Sequence, residues 1–152
     1  MNKRLAVVAS CAMISAAAAV DEPSSYLCAP DMATGFIFDK TTGQWHGANF
    51  RATQKYVVSR SKTAKSEWEV KEVGSPLPQA FCISNPKWNP QALLCEGPTA
   101  NFWMDRKNLR YLNVYPHGWW DVGQDVGVEH LFGVREGDDT PYIEIGKCTP
   151  MQ

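Results

Sequence analysis

The segment Ser66-Glu67-Trp68-Glu69-Val70-Lys71 alternates polar or charged side chains with apolar ones. A period of two places Trp68 and Val70 on one face of a strand and the charged residues on the other. Strands that bury only one face are typical of antiparallel sheets. The segment therefore predicts a half-buried β-strand with Trp68 in the core.

The same pattern continues on both sides of this segment. Segments 35–39 and 101–105 also alternate, which predicts that Phe36, Phe38, Phe102 and Met104 face inward. Three other runs, 54–60, 109–115 and 142–147, are rich in β-branched or aromatic residues, and 80–83 and 92–95 are short apolar runs. Turn residues separate the runs, and no segment shows a sustained helical apolar stripe. We therefore predict a single all-β domain, an antiparallel β-barrel or β-sandwich of about eight short strands.

The N-terminus has the three parts of a secretory signal peptide. Met1-Asn2-Lys3-Arg4 is basic, the following residues up to Ile14 are mostly apolar, and Ala17-Ala18-Ala19 fits a cleavage site. A membrane-spanning helix needs roughly 20 apolar residues, and this run soon reaches Asp21. We predict a signal peptide at 1–19, a single β domain at 20–152, and a periplasmic or secreted protein. The alternative is that the leader is cleaved before Cys11 and that Cys11 is then lipidated.

Four cysteines remain after the leader is removed: Cys28, Cys82, Cys95 and Cys148. An even number behind a signal peptide predicts disulfides, and four cysteines allow three pairings. We predict Cys82–Cys95, because a Pro/Asn-rich bend at 85–90 would make a hairpin of their two runs. Cys28–Cys148 would then join the two termini. No Cys-x-x-Cys and no histidine at ligand spacing is present, so we predict no zinc and no cofactor.

The charge balance argues against two classes of partner. The chain has 15 basic and 16 acidic residues. Loss of Lys3 and Arg4 with the leader brings the net charge to about −3. Nucleic-acid binding needs a basic surface, and so does binding to anionic lipid. We therefore predict no nucleic-acid partner. No other long apolar run follows the leader, so we also predict no membrane-spanning segment.

Catalysis finds little support among the motifs. A hydrolase needs a nucleophile, a base and an oxyanion site within mutual reach. The sequence has no Gly-x-Ser-x-Gly and no His-Glu-x-x-His, and the predicted disulfides use the cysteines. His117 and Asp121 are the best remaining pair, and His130 completes no known metal-ligand spacing with them. We predict a non-enzymatic protein, with a hydrolase using His117 and Asp121 as one alternative.

The aromatic residues suggest a binding surface. The chain has six tryptophans and five tyrosines. Trp103 alternates with Phe102 and Met104, so it should face outward. A pair of tryptophans lies in the glycine-rich segment 116–141, where rings with a polar edge would suit a sugar or a protein partner. The alternative is that these rings cover an open sheet face. The predicted ligand-binding residues are Trp103, Tyr115, His117, Trp119 and Trp120.

These observations predict an exported binding domain whose unknown ligand is a cell-envelope glycan, an apolar small molecule or a protein. A second alternative is an inhibitor of an envelope-directed hydrolase, such as a lysozyme or a protease. It would use the basic hairpin at 106–110 or the loop at 116–141 as a plug.

Several short stretches resemble known families. Phe102-x-Met104, Leu109-Arg110-Tyr111, Tyr115-x-x-Gly118 and the ending Thr140-Pro141-Tyr142-Ile143-Glu144-Ile145-Gly146-Lys147-Cys148 resemble small exported proteins of alphaproteobacteria. That resemblance covers most of the mature chain and brings no functional residues. Gly43-Gln44-Trp45 is similar to the Gly-x-Trp of lipocalins, which lies on a first barrel strand. The size, leader and disulfides also resemble periplasmic lysozyme or protease inhibitors with small β-barrels, without their inhibitory loop motifs.

Overall fold

The regular secondary structure of the described residues consists of β-strands. The computed structural model describes residues 22–63, 66–83, 86–98, 100–117, 119 and 137–151, so the predicted leader at 1–19 lies outside them. Within these ranges, no helix could span a membrane. The strands are β1 (Ser25–Asp39), β2 (Gln44–Phe50), β3 (Tyr56–Arg60), β4 (Trp68–Glu72), β5 (Ala80–Ile83), β6 (Ala92–Glu96), β7 (Asn101–Asp105), β8 (Arg110–Tyr115) and β9 (Tyr142–Met151).

The strands close into an antiparallel barrel. From β3 to β9 each strand pairs with the next, and β9 returns to pair with β1. β2 and β3 lie along the same side of β1, where β2 pairs with residues 33–39 and β3 with residues 25–28. These two strands therefore share one of eight positions around the barrel. The prediction of an all-β barrel of about eight strands is confirmed.

Side chains fill the barrel interior. Trp68, Phe102 and Met104 are buried as alternation predicted. The rings of Tyr56, Phe102 and Tyr111 pack against one another, and the Phe102 and Tyr111 rings are stacked with centres 5.0 Å apart. An eight-stranded barrel is just wide enough for side chains to fill it. This part of the interior is therefore a packed core.

Both predicted disulfides are present in that core. Cys28 on β1 is bonded to Cys148 on β9, across the pairing that closes the barrel. Cys82 and Cys95 are bonded across the β5–β6 hairpin. Such bonds are typical of proteins that fold in an oxidising compartment.

A bulge in β1 overturns one prediction about the core. Tyr26 and Cys28 face inward, but the register shifts between Pro30 and Met32. A bulge inserts one residue and so exchanges the two faces of the strand. Beyond it the even-numbered residues face outward, and Phe36 is 55% exposed. The prediction that Phe36 and Phe38 face inward was therefore wrong.

Charged side chains seal the end of the barrel where β1 begins, which we call the closed end. The Arg60 guanidinium lies 4.2 Å from the centre of the Trp68 ring, and that of Arg106 lies 5.6 Å from it. Glu22 forms ion pairs with both arginines. Two cations stacked on one buried indole and bridged by a carboxylate close this end to solvent.

Candidate functional site

The opposite end, which we call the open end, carries the features suited to binding. The β1–β2 hairpin extends past the pairing of β1 with β9 at this end. The connection from β8 to β9 begins and ends here, and its residues 118 and 120–136 lie outside the described residues. The predicted binding loop is therefore described only at its two ends and at Trp119.

An apolar cleft of about 360 Å³ opens on the outer face of the β1–β2 hairpin. It is lined by Phe36, Trp45, Trp119 and Pro141, and we call it the aromatic cleft. Phe36 and Trp119 are each 55% exposed. Large apolar side chains exposed around a concave surface are typical of ligand-binding sites.

Strand pairing explains why the cleft is open. Phe38 lies opposite Trp45 in the β1–β2 register, and their ring centres are 5.1 Å apart. Phe36 lies opposite Gly47, which has no side chain to cover it. The Phe36 N–H donates to the Pro141 carbonyl at 3.0 Å, which fixes the proline beside the phenylalanine. The strand pairing therefore leaves the Phe36 ring uncovered on the side of Gly47.

The segment that leads into β9 is held tightly against this hairpin. Gly137 has a φ of +77°, and a Cβ there would lie 2.1 Å from Cδ1 of Phe38. Only glycine therefore fits both the backbone conformation and the contact. Lys40 Nζ also pairs with Asp138 Oδ1 at 2.9 Å. These contacts fix the proline side of the aromatic cleft.

The structure brings two of the predicted binding residues together. The Tyr115 ring stacks on Tyr142 with centres 5.3 Å apart, and its hydroxyl donates to the Asp139 carboxylate. The ring of His117 meets the Tyr115 ring edge-on at 5.1 Å. Burial, aided by the bond to Asp139, raises the pKa of Tyr115 to about 12. Tyr115 is therefore a packed residue that supports the open end.

Trp103 lies on a different wall of the barrel. It faces outward, as predicted, and pairs in register with Leu94 and Leu112. Those three residues border a separate outer groove and do not line the aromatic cleft. The predicted surface is therefore divided, with Trp119 in the cleft and Trp103 apart from it.

Two predicted residues, Trp120 and Asp121, lie outside the described residues. The hydrolase alternative, which pairs His117 with Asp121, stays a prediction. In the described part of the chain, no group of three or more histidine, cysteine, aspartate or glutamate side chains could hold a metal ion.

A second cavity of about 370 Å³ lies at the open end, on the inner side of the hairpin. We call it the polar cavity. Its lining includes Phe50, Arg51, Gln54, Asp139, Tyr142 and Glu144. Glu144 is only 2% exposed, so a carboxyl group lies at the inner end of a cavity that opens to solvent. Sequence analysis did not single out this residue.

Hydrogen bonds between side chains surround the polar cavity. The Tyr111 hydroxyl donates to Glu144 Oε1 at 2.8 Å. The hydroxyls of Tyr56 and Tyr142 both lie 3.1 Å from Gln54 Oε1 and donate to it. Asn113 Nδ2 donates to the Tyr56 hydroxyl at 3.0 Å. The core next to the polar cavity is thus polar and largely hydrogen-bonded, although the buried Asn113 Oδ1 has no hydrogen-bond partner among the described residues.

One signal in the sequence could have located Glu144. Side chains alternate along β9, so Glu144, Gly146 and Cys148 share a face. A disulfide to the other terminal strand places that face inside, and Ile143 and Ile145 are consequently exposed. The isoleucines would suggest the opposite orientation, but the covalent bond determines which face is buried.

Glu144 should make stability depend on pH. Burial raises the pKa of its carboxyl group, and hydrogen bonding to the Tyr111 and Tyr56 hydroxyls offsets this only in part. A raised folded-state pKa gives stability that is fully present below the unfolded-state pKa, which is about 4.3. That stability is lost as the pH rises through the folded-state pKa. Wild type should therefore lose free energy of unfolding relative to Glu144→Gln as the pH rises above about 4.

Urea unfolding of both proteins across that range measures the difference directly. Glutamine keeps the side-chain shape and an acceptor for Tyr111 but cannot ionise. A difference in unfolding free energy that stays constant with pH would show that Glu144 has an ordinary pKa in the folded protein.

The basic hairpin of the inhibitor alternative lies at the closed end. The Arg106 side chain is buried and donates to the carbonyl groups of Pro90 and Gln91. Arg110 Nη1 pairs with Asp31 Oδ2 at 3.1 Å. Both cations are thus bonded within the chain rather than extended toward a partner.

Comparison with known proteins finds no family model, no curated protein and no solved structure that matches this chain.

Proposed function

We propose that this protein is an exported binding protein whose aromatic cleft holds a flat, apolar group of a small molecule. The carrying observation is that two tryptophans, a phenylalanine and a proline surround one cavity of about 360 Å³. A cavity of that size suits a small ligand, since ligand pockets span roughly 300–1,000 Å³. The two disulfides and the leader-like N-terminus support export.

The chemistry of the cleft favours an apolar ligand over a glycan. Its four lining residues carry only two polar side-chain groups, the indole N–H groups of Trp45 and Trp119. A sugar stacked on a ring also needs hydrogen-bond partners for its hydroxyl groups, because unpaired polar groups are costly to bury. We therefore place apolar small molecules before glycans and proteins among the predicted ligands.

Trp119→Ala and Trp45→Ala should each weaken binding of N-phenyl-1-naphthylamine by about tenfold, because each variant removes one aromatic wall of the cleft. A fluorescence titration of the purified protein measures this, with chitotriose as the glycan probe. Trp88→Ala is the matched control, since Trp88 is exposed and lines the outer groove.

The expected pattern is a loss of dye affinity in the two cleft variants, no change in Trp88→Ala, and an unchanged far-UV circular dichroism spectrum. Equal affinity in all four proteins would refute the cleft as the site. Tighter binding of chitotriose than of the dye would replace the apolar ligand by a glycan. Unfolding of Trp119→Ala would show instead that this ring is part of the core.

Inhibition of an envelope-directed hydrolase stays a prediction. The bonded state of Arg106 and Arg110 gives it no support from the hairpin at 106–110. Its test is loss of lysozyme or protease activity at near-stoichiometric amounts of this protein.

A further inference from the structure

Glu144 carries a buried carboxyl group at the inner end of the polar cavity. Its residue is 2% exposed, and it forms no ion pair with any described residue. The Tyr111 hydroxyl donates a hydrogen bond to Oε1, and the Tyr56 hydroxyl also lies within hydrogen-bonding reach of the carboxyl group. Buried charges in proteins are generally paired, because an isolated ion in the interior is costly. The missing partner is therefore the feature that needs an explanation.

The polar cavity gives this carboxyl group access to a ligand. Glu144 and Asp139 both line it, so two acidic residues border one solvent-accessible cavity. Asp139 is held in place by the Tyr115 hydroxyl and by the backbone N–H of Thr140. A ligand entering from the open end would meet Asp139 and Glu144 together, and both accept hydrogen bonds when ionised.

The remaining walls suit an organic cation. Phe50 and Tyr142 contribute aromatic rings, which attract ammonium and guanidinium groups. Gln54 adds an amide, whose oxygen accepts hydrogen bonds from two tyrosines. Arg51 also lines the cavity, but it is exposed, and water screens its repulsion of a second cation. Carboxylates beside aromatic rings form the usual surroundings of a bound alkylammonium group.

We infer that the polar cavity binds a small organic cation, an alkylammonium or alkylguanidinium group, with its charge at Glu144 and its alkyl part against Phe50 and Tyr142. This site is separate from the aromatic cleft, which lies on the other face of the β1–β2 hairpin. The inference therefore does not depend on the proposed function.

The test is an isothermal titration of the purified protein at neutral pH with four probes of similar size. Butylammonium and butylguanidinium carry the required charge, butanol is the neutral analogue, and butyrate is the anion. We expect both cations to bind and the other two probes to show no measurable binding. Binding of butanol as tight as that of butylammonium would overturn the inference. Calcium ions that displace butylammonium would assign the cavity to an inorganic cation, and would overturn it too.

Variants locate the bound charge. Glu144→Gln removes the charge with little change of shape. It should weaken the binding of butylammonium by about tenfold or more, because a charge-assisted hydrogen bond is lost. Asp139→Asn should weaken the binding of butylammonium by about threefold. This second variant still tests the inference if Glu144→Gln does not fold. Asp138→Asn is the matched control, since it removes an equal charge from a side chain outside the cavity. Equal losses in Asp138→Asn and Glu144→Gln would mean that the overall charge, and not this site, attracts the cation.

Binding at the two sites is tested by separate titrations, so each can be refuted without the other. The dye titration monitors the aromatic cleft, and the amine titration monitors the polar cavity. A protein that binds the dye but no cation would refute the inference and leave the proposed function intact.

Discussion

Replacing Cys28 and Cys148 by alanine should lower the free energy of unfolding by about 5 kcal/mol. The bond joins residues 120 positions apart, so it closes a loop that includes nearly the whole described chain. In the chain-entropy account, a disulfide that closes a longer loop removes more conformational entropy from the unfolded chain, and so stabilises the folded protein more. Loss of this bond should reduce the melting temperature by roughly 15 °C.

Cys82→Ala with Cys95→Ala is the matched comparison. Its bond spans 13 positions, which corresponds to about 3 kcal/mol. Both pairs are buried and both join neighbouring antiparallel strands, so they differ chiefly in loop length. Urea unfolding of the two double variants, followed by circular dichroism, gives the two free energies. Equal losses would show that local packing, rather than loop closure, sets the contribution of each disulfide.

The barrel should still close without the Cys28–Cys148 bond. Residues 25–35 of β1 are paired with β9 through backbone hydrogen bonds, and these do not depend on the disulfide. The double variant should therefore keep a native far-UV spectrum at low temperature. Its loss of stability would then come from the unfolded state, as the entropy argument requires.

The sequence predicted most strands because their two faces differ. Trp68 and Phe102 alternate with charged or polar-facing positions in the sequence, which gives a clear period of two, although Glu69 beside Trp68 is itself buried. Turn residues at 39–43 and 105–108 marked the ends of two hairpins. These features are local, and a single sequence displays local features directly.

Two strand segments escaped prediction for a physical reason. The first half of β1 contains Pro30, and proline within a run usually argues against a strand. Here it lies beside the bulge, where proline is tolerated. β2 contains His46, Gly47 and Asn49, so it lacks the apolar alternation of the other strands. Its pairing with β1 alone requires no buried face.

The candidate site was predicted in part. Trp119 was expected to bind, and it lines the aromatic cleft. Phe36 was assigned to the core, because nothing in the local pattern revealed the bulge that turns it outward. Glu144 required knowledge of which face of β9 the disulfide buries. The orientations of Phe36 and Glu144 both depend on long-range strand pairing, which a periodic pattern does not encode.

Trp68→Ala should lower the free energy of unfolding by about 3–5 kcal/mol, the range for large buried aromatic residues. Trp68 is 1% exposed, its ring lies 5.7 Å from that of Tyr26, and two guanidinium groups cover it. Alanine would leave a cavity at the closed end and would remove the surface on which Arg60 and Arg106 stack. The effect should exceed the loss of buried area alone, because the two cations would then be less well held.

Trp103→Ala is the matched control, since it removes the same side chain from the outer face of the barrel. Trp103 is 42% exposed, so its replacement should cost less than about 1 kcal/mol. Urea unfolding followed by circular dichroism compares the variants without relying on tryptophan fluorescence. Losses of similar size would mean that the outer wall around Trp103 is covered in solution. A large loss for Trp68→Ala alone would show that the alternation of charged and apolar residues at 66–71 specifies a buried face.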